Sequence, residues 1–190
     1  MHTENRGDGI IQFLLSVILS RGVKQVRGDM DEWSEGVMGK HSYCTQEMVN
    51  LILIGKATSN LFDGVVDLDG QKLKGLSCTC EIGQLSLFEH YDNLKIGSNG
   101  KNPIYPIYVV CSESHYTTLF ALDQASKSSN TFDFFYYDGL SNPTAEIKLS
   151  VKLIGREKET RSLIPPLELC LATKWGKDLY VDWNGTEPLL

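Results

Sequence analysis

A chain of 190 residues with a formal charge of −6, 42% hydrophobic and 22% charged residues has ordinary globular usage, which excludes a disordered or fibrous protein. Domains of this size remove roughly 70% of their unfolded surface from water, so a single domain spanning residues 1–190 around one substantial core is expected. The acidic balance, with Lys and Arg scattered, argues against a nucleic-acid partner, because a phosphate backbone requires a basic face.

The first apolar run, Ile10 to Leu19, is interrupted by Gln12 and Ser16 and falls short of the about 20 residues that a bilayer span needs. No membrane partner is expected. Ile10, Ile11, Phe13, Leu14, Leu15, Val17, Ile18 and Leu19 follow Asp8 and leave hardly any polar face, so the run reads as a buried helix ending near Gly22. A first helix ordinarily keeps one solvated side, and this pattern asks for upstream chain to cover it. Glu4 and Asp8 beside Arg6 are the wrong charge for a signal peptide, and five cysteines at irregular spacing read as reduced thiols. An intracellular location, cytoplasmic or nuclear, is therefore expected, and the sequon Asn184-Gly185-Thr186 is read as a chance match.

Further on, Thr45 is placed to cap a helix that Gln46 and Glu47 open at the positive end of the dipole, Met48, Leu51, Ile52 and Ile54 stripe, and Gly55 closes. Val65, Val66 and Leu68, then Asp69-Gly70, then Leu73 have hairpin chemistry. A second helix is predicted from about Glu81 to Tyr91, with Ile82, Leu85 and Phe88 on one side. From Pro103 the residues turn β-branched and aromatic: Ile104 to Cys111 and His115 to Phe120, around Ser112-Glu113-Ser114, predict adjacent strands. After a polar loop from Ser126 to Thr131, Phe132 to Tyr137, ended by the turn Asp138-Gly139, and Ile147 to Leu153 continue the β pattern. Pro165-Pro166 then starts a last helix running to Gly176. Helices first and strands after place the fold in the α+β class.

A neutral imidazole is the commonest general base, so the four histidines come first. His2 is terminal, His41 sits in a polar loop and His90 ends a helix, each with a structural explanation. His115 opens a strand, where the backbone holds a side chain rigidly and leaves its tip accessible. Asp138 ends the next strand; if the two pair, its carboxylate can accept from the imidazole and fix its tautomer, as a triad requires. Asp-Gly after an aromatic strand is also, and more commonly, an ordinary turn. For a nucleophile, Cys44 stands just before a helix start, where the dipole lowers a thiol pKa, whereas Cys111 and Cys170 read as packed residues. Cys78-Thr79-Cys80 lacks a second ligand pair at zinc spacing, and no Gly-rich phosphate loop precedes a helix. No metal or other cofactor is expected.

Several runs in order over nearly the whole chain resemble the member-four-like branch of the MINDY deubiquitinases. They are Tyr43-Cys44-Thr45-Gln46-Glu47-Met48-Val49-Asn50-Leu51, Leu85-Ser86-Leu87-Phe88-Glu89-His90-Tyr91, Val109-Val110-Cys111-Ser112-Glu113-Ser114-His115, Tyr136-Tyr137-Asp138-Gly139-Leu140 and Trp183-Asn184-Gly185-Thr186-Glu187-Pro188-Leu189-Leu190. The resemblance implies a papain-like cysteine peptidase core that cuts polyubiquitin joined through the lysine at ubiquitin's forty-eighth position. It places the family histidine on His115 and implies that the chain is the C-terminal portion of the catalytic domain. The upstream Gly-Pro-Cys-like segment with the nucleophile, and the nearby Gln of the oxyanion hole, have no counterpart here, and Cys44 aligns with a family cysteine that is not the nucleophile. Three readings stay open: part of a ubiquitin-chain hydrolase inactive alone, a ubiquitin-binding pseudoenzyme, and a non-functional fragment.

Overall fold

A computed structural model describes residues 8–34, 36–40, 43–122, 130–141, 146–153 and 164–187. His2, His41, most of the 126–131 loop and the final three residues of the closing run lie outside the described residues. The chain divides into two compact units, Met1–Cys78 and Thr79–Leu190.

In the first unit the predicted N-terminal helix is present as α1, Asp8–Arg21, and a second helix, α2, Val23–Asp29, leaves it at 83°. Gly22 makes that break at φ 90°, in the left-handed region open to glycine. Leu14, Val17 and Ile18 pack against Val26, Met30, Met48, Leu51 and Ala57. The expectation of burial on all sides is corrected, since Ile10, Ile11, Phe13, Leu15 and Leu19 are each more than half exposed. Local sequence sets the helix, while burial depends on which faces receive partners. No single helix among the described residues is long and apolar enough to cross a membrane.

The capped helix is α3, Gln46–Ile54, closed by Gly55 at φ 69°. The Thr45 hydroxyl, instead of capping, donates to the Val37 carbonyl at 3.2 Å. The fully buried Asn50 amide donates to the Thr58 carbonyl at 2.8 Å and accepts from Gln46 at 3.1 Å, so the polar group inside this core is satisfied. The hairpin forms as β1, Val65–Leu68, and β2, Gln71–Lys74, in antiparallel register. Its turn residues Asp69 and Gly70 both have positive φ, 52° and 88°, which is the type I′ geometry that matches strand twist.

The second unit is a six-stranded sheet in the order β3-β4-β5-β6-β7-β8, with β3 Gly83–Ser86, β4 Ile107–Ser112, β5 His115–Phe120, β6 Thr131–Tyr137, β7 Ile147–Leu153 and β8 Leu179–Asp182. The pair β3 and β4 is parallel and every other pair antiparallel. The mixed α+β class is as expected, with short helices α4, Leu87–His90, and α5, Ser98–Lys101, and the predicted last helix as α6, Pro166–Trp175. Two differences stand out. The helix predicted over Glu81 to Tyr91 is a strand followed by one helical turn, because all four residues of β3 are buried and short apolar runs do not separate strand from helix by period. A Cβ at Gly83 would sit 2.6 Å from the Tyr108 ring, so only glycine lets β3 approach its neighbour. Strand β8 had no signal, being four residues at the end of the sheet.

The sheet face carrying Leu85, Val110, Leu119, Phe134, Leu149, Val151 and Val181 packs with Leu167, Cys170 and Leu171 of α6 into one core. Polar bonds stitch its helices together. Lys101 pairs with Glu89 at 2.9 Å and donates to the Thr173 carbonyl at 2.6 Å, and Lys174 donates to Asn102 at 2.8 Å.

Candidate functional site

His115 follows a two-residue turn, Glu113-Ser114, and pairs with Ser112 across it. Thr118 pairs with Tyr137, so extending that register puts Asp138 opposite Thr117 and diagonal to His115, within reach of its side chain. The imidazole Nε2 lies 2.9 Å from Asp138 Oδ2, with the His115 side chain 37% and the Asp138 side chain 9% exposed. The structure thus brings the two predicted site residues together.

Asp138 is firmly held. Its Oδ1 accepts from the Leu140 amide at 2.9 Å and its carbonyl from the Ser141 hydroxyl at 3.1 Å. Burial works to raise its pKa, but the Leu140 amide and the His115 hydrogen bond outweigh it and hold the carboxyl below the usual range. An ionised carboxylate accepts only, so a neutral His115 donates from Nε2 and keeps its lone pair on Nδ1. The arrangement is a base with its orienting group, able to take a proton at Nδ1.

A group whose folded pKa lies below its unfolded value stabilises the fold above the unfolded value, about 3.9 for Asp. That stabilisation is lost as pH falls through the lower folded value. Asp138→Asn is therefore expected to flatten the loss of stability below about pH 4, read as urea midpoints measured from neutral pH into acid. An unchanged acid limb would show that the carboxylate is not held this way.

The cysteines are all free thiols. Cys44 belongs to the first unit, where its sulfur lies 3.9 Å from that of Met38. In the unit of His115, burial raises the Cys111 thiol pKa against opposing hydrogen bonds from Tyr116 and Ser86. Cys170 is pushed up to about 12, chiefly by burial. Cys80 is buried and the exposed Cys78 is in the other unit. Among the described residues of this unit no thiol is hydrogen-bonded to His115, and no cluster of three or more His, Cys, Asp or Glu that could hold a metal occurs among the described residues.

Sequence reasoning missed the layer beneath the pair. Thr117 hydrogen-bonds the Tyr136 phenol, whose pKa is raised first by burial and further by the Asp138 charge. Trp183 meets Tyr136 edge-on at 6.1 Å and donates from Nε1 to the buried Glu168 at 2.9 Å. Alternation could have found Thr117 and Tyr136, each two residues from a site residue on the same face. Nothing local marks Glu168 inside the apolar stretch of α6.

Residues 1–185 match the family model described as "Deubiquitinating enzyme MINDY-3/4, conserved domain". The chain is 47% identical over 96% of its length to the Xenopus tropicalis protein named "Probable ubiquitin carboxyl-terminal hydrolase MINDY-4", covering 26% of that protein. It is 45% identical over 96% of its length to the Homo sapiens protein of the same name, covering 25% of it. To the Homo sapiens "Ubiquitin carboxyl-terminal hydrolase MINDY-3" it is 36% identical over 62% of its length, covering 26% of that protein. The chain thus spans about a quarter of the length of these relatives. No solved structure matches it. A match to the family model over nearly every residue, with the His115 and Asp138 pair inside it, shows that the chain belongs to the MINDY-3/4 family of deubiquitinating enzymes.

Proposed function

We propose that this chain supplies the general base of a papain-like deubiquitinase acting on polyubiquitin joined through the lysine at ubiquitin's forty-eighth position, and that it does not turn over alone. The observation that carries this reading is the imidazole itself. Nε2 is committed to Asp138 at 2.9 Å, Nδ1 has no hydrogen-bond partner among the described residues, and the thiols Cys111 and Cys170 are held protonated and bonded elsewhere.

In this reading Nδ1 takes the proton of a cysteine thiol supplied by a segment outside these residues, and the thiolate attacks the isopeptide carbonyl. Asp138 stabilises the imidazolium, which returns the proton to the leaving lysine amine. Water then releases the acyl group with His115 again as base. The relatives' names, each a ubiquitin carboxyl-terminal hydrolase, support ubiquitin as substrate. The exposed apolar side chains of α1 offer a further polypeptide segment a surface to cover.

A ubiquitin probe with a thiol-reactive C-terminal warhead tests the reading. The expected result is no labelling of the chain alone, and labelling of the added segment when the chain is co-expressed with the remainder of the Xenopus tropicalis relative. The complemented assembly should then cut chains joined through the forty-eighth-position lysine faster than those joined through the sixty-third. Labelling of a cysteine in the chain alone would overturn it, as would a complemented assembly that binds ubiquitin without cutting it, the behaviour of a pseudoenzyme.

A further inference from the structure

The turn before His115 is held by a side chain that the chemistry above does not use. Glu113 adopts φ 56°, a left-handed conformation that is unfavourable for a residue with a Cβ and needs compensation from its surroundings. The Cys111 thiol donates to the Glu113 carbonyl at 3.3 Å. The sulfur is also hydrogen-bonded by Tyr116, its cross-strand partner, and by Ser86. Ser86 is fixed in turn, since it caps α4 by accepting from the Phe88 amide at 3.2 Å. Successive residues of a strand point to opposite faces, so Cys111, paired with Tyr116, faces away from His115, paired with Ser112. The thiol therefore acts on the imidazole through the backbone, by its bond to the Glu113 carbonyl on one side of His115 and to Tyr116 on the other.

We infer that Cys111 is a positioning residue for His115: by holding the Glu113 carbonyl, its thiol sets the turn from which the imidazole enters β5. Burial keeps this sulfur protonated, which is the state that donates. The inference rests on the reading of His115 as the base, but the geometry it concerns can be measured without turnover.

The ring nitrogen shifts of His115, read by NMR on the chain alone, report its tautomer and the proton bonded to Asp138. Cys111→Ala should change a single Nε2–H tautomer into an exchanging mixture, and Cys111→Ser, which keeps a donor, should restore it. In the complemented assembly Cys111→Ala should lower kcat by roughly ten- to a hundredfold with KM little changed, again recovered by serine. If complementation fails, the proposed function is at fault, while the tautomer still decides the inference. Methylthiolation of Cys111 in an already folded chain whose Cys44 and Cys78 are serine removes the same proton and should give the same mixture. A His115 signal unchanged by both the alanine variant and methylthiolation would overturn the role of Cys111.

Discussion

Replacing His115 by alanine in the complemented assembly is expected to lower kcat by about 10⁴-fold or more, with KM close to its original value, as loss of a triad base does elsewhere. The reason is local. Nε2 lies 2.9 Å from a carboxylate that the Leu140 amide also holds, so the ring has one orientation and one tautomer, with Nδ1 as the proton acceptor. No other described histidine offers this, since His90 at the end of α4 makes an edge contact with Tyr91 at 5.2 Å. A kcat within about tenfold of the parent would remove His115 from the chemistry. His90→Ala serves as the control and should leave kcat unchanged.

The second large effect concerns the core that supports this pair. Phe134→Ala is expected to cost about 3–5 kcal/mol, read as a fall in the urea or thermal midpoint of the second unit. Phe134 is 1% exposed and its ring lies 5.5 Å from Phe132, 5.4 Å from Trp175 and 6.1 Å from Tyr108. Truncation opens a cavity on three aromatic sides, and the α6 side cannot collapse into it while Lys101 is tied to Thr173 and Lys174 to Asn102. Phe120 is the useful comparison. It stacks on Phe135 at 5.6 Å on the opposite, half-buried side of the sheet, and its alanine variant should cost roughly 1 kcal/mol, closer to an ordinary substitution. Equal costs at the two positions would place the core on the wrong face.

These two expectations depend on different kinds of information. That His115 and Asp138 meet was legible from the chain because each sits at the end of an aromatic, β-branched strand with a turn beside it, and adjacent antiparallel strands bring such ends together. The same locality explains the hairpin at Asp69-Gly70, the helix closed at Gly55 and the helix opened at Pro166. In each, backbone preferences within a few residues of the turn or cap decide the outcome.

What only the tertiary structure decided was everything that depends on contact with distant chain. Ile82, Leu85 and Phe88 have the apolar spacing of a helix, yet Gly83 to Ser86 becomes a strand because it is buried beside β4. The four residues of β8 are a strand through pairing with β7. The helix α1 follows from its own sequence, yet which of its apolar residues are covered does not, and five remain exposed. Thr117, Tyr136, Glu168 and Trp183 form a layer beneath the site from four separate elements or their ends, and Cys111 acts on a turn whose left-handed Glu113 no composition foretells. Local propensity is a property of neighbouring residues, whereas burial and polar satisfaction are properties of whatever the fold places beside them.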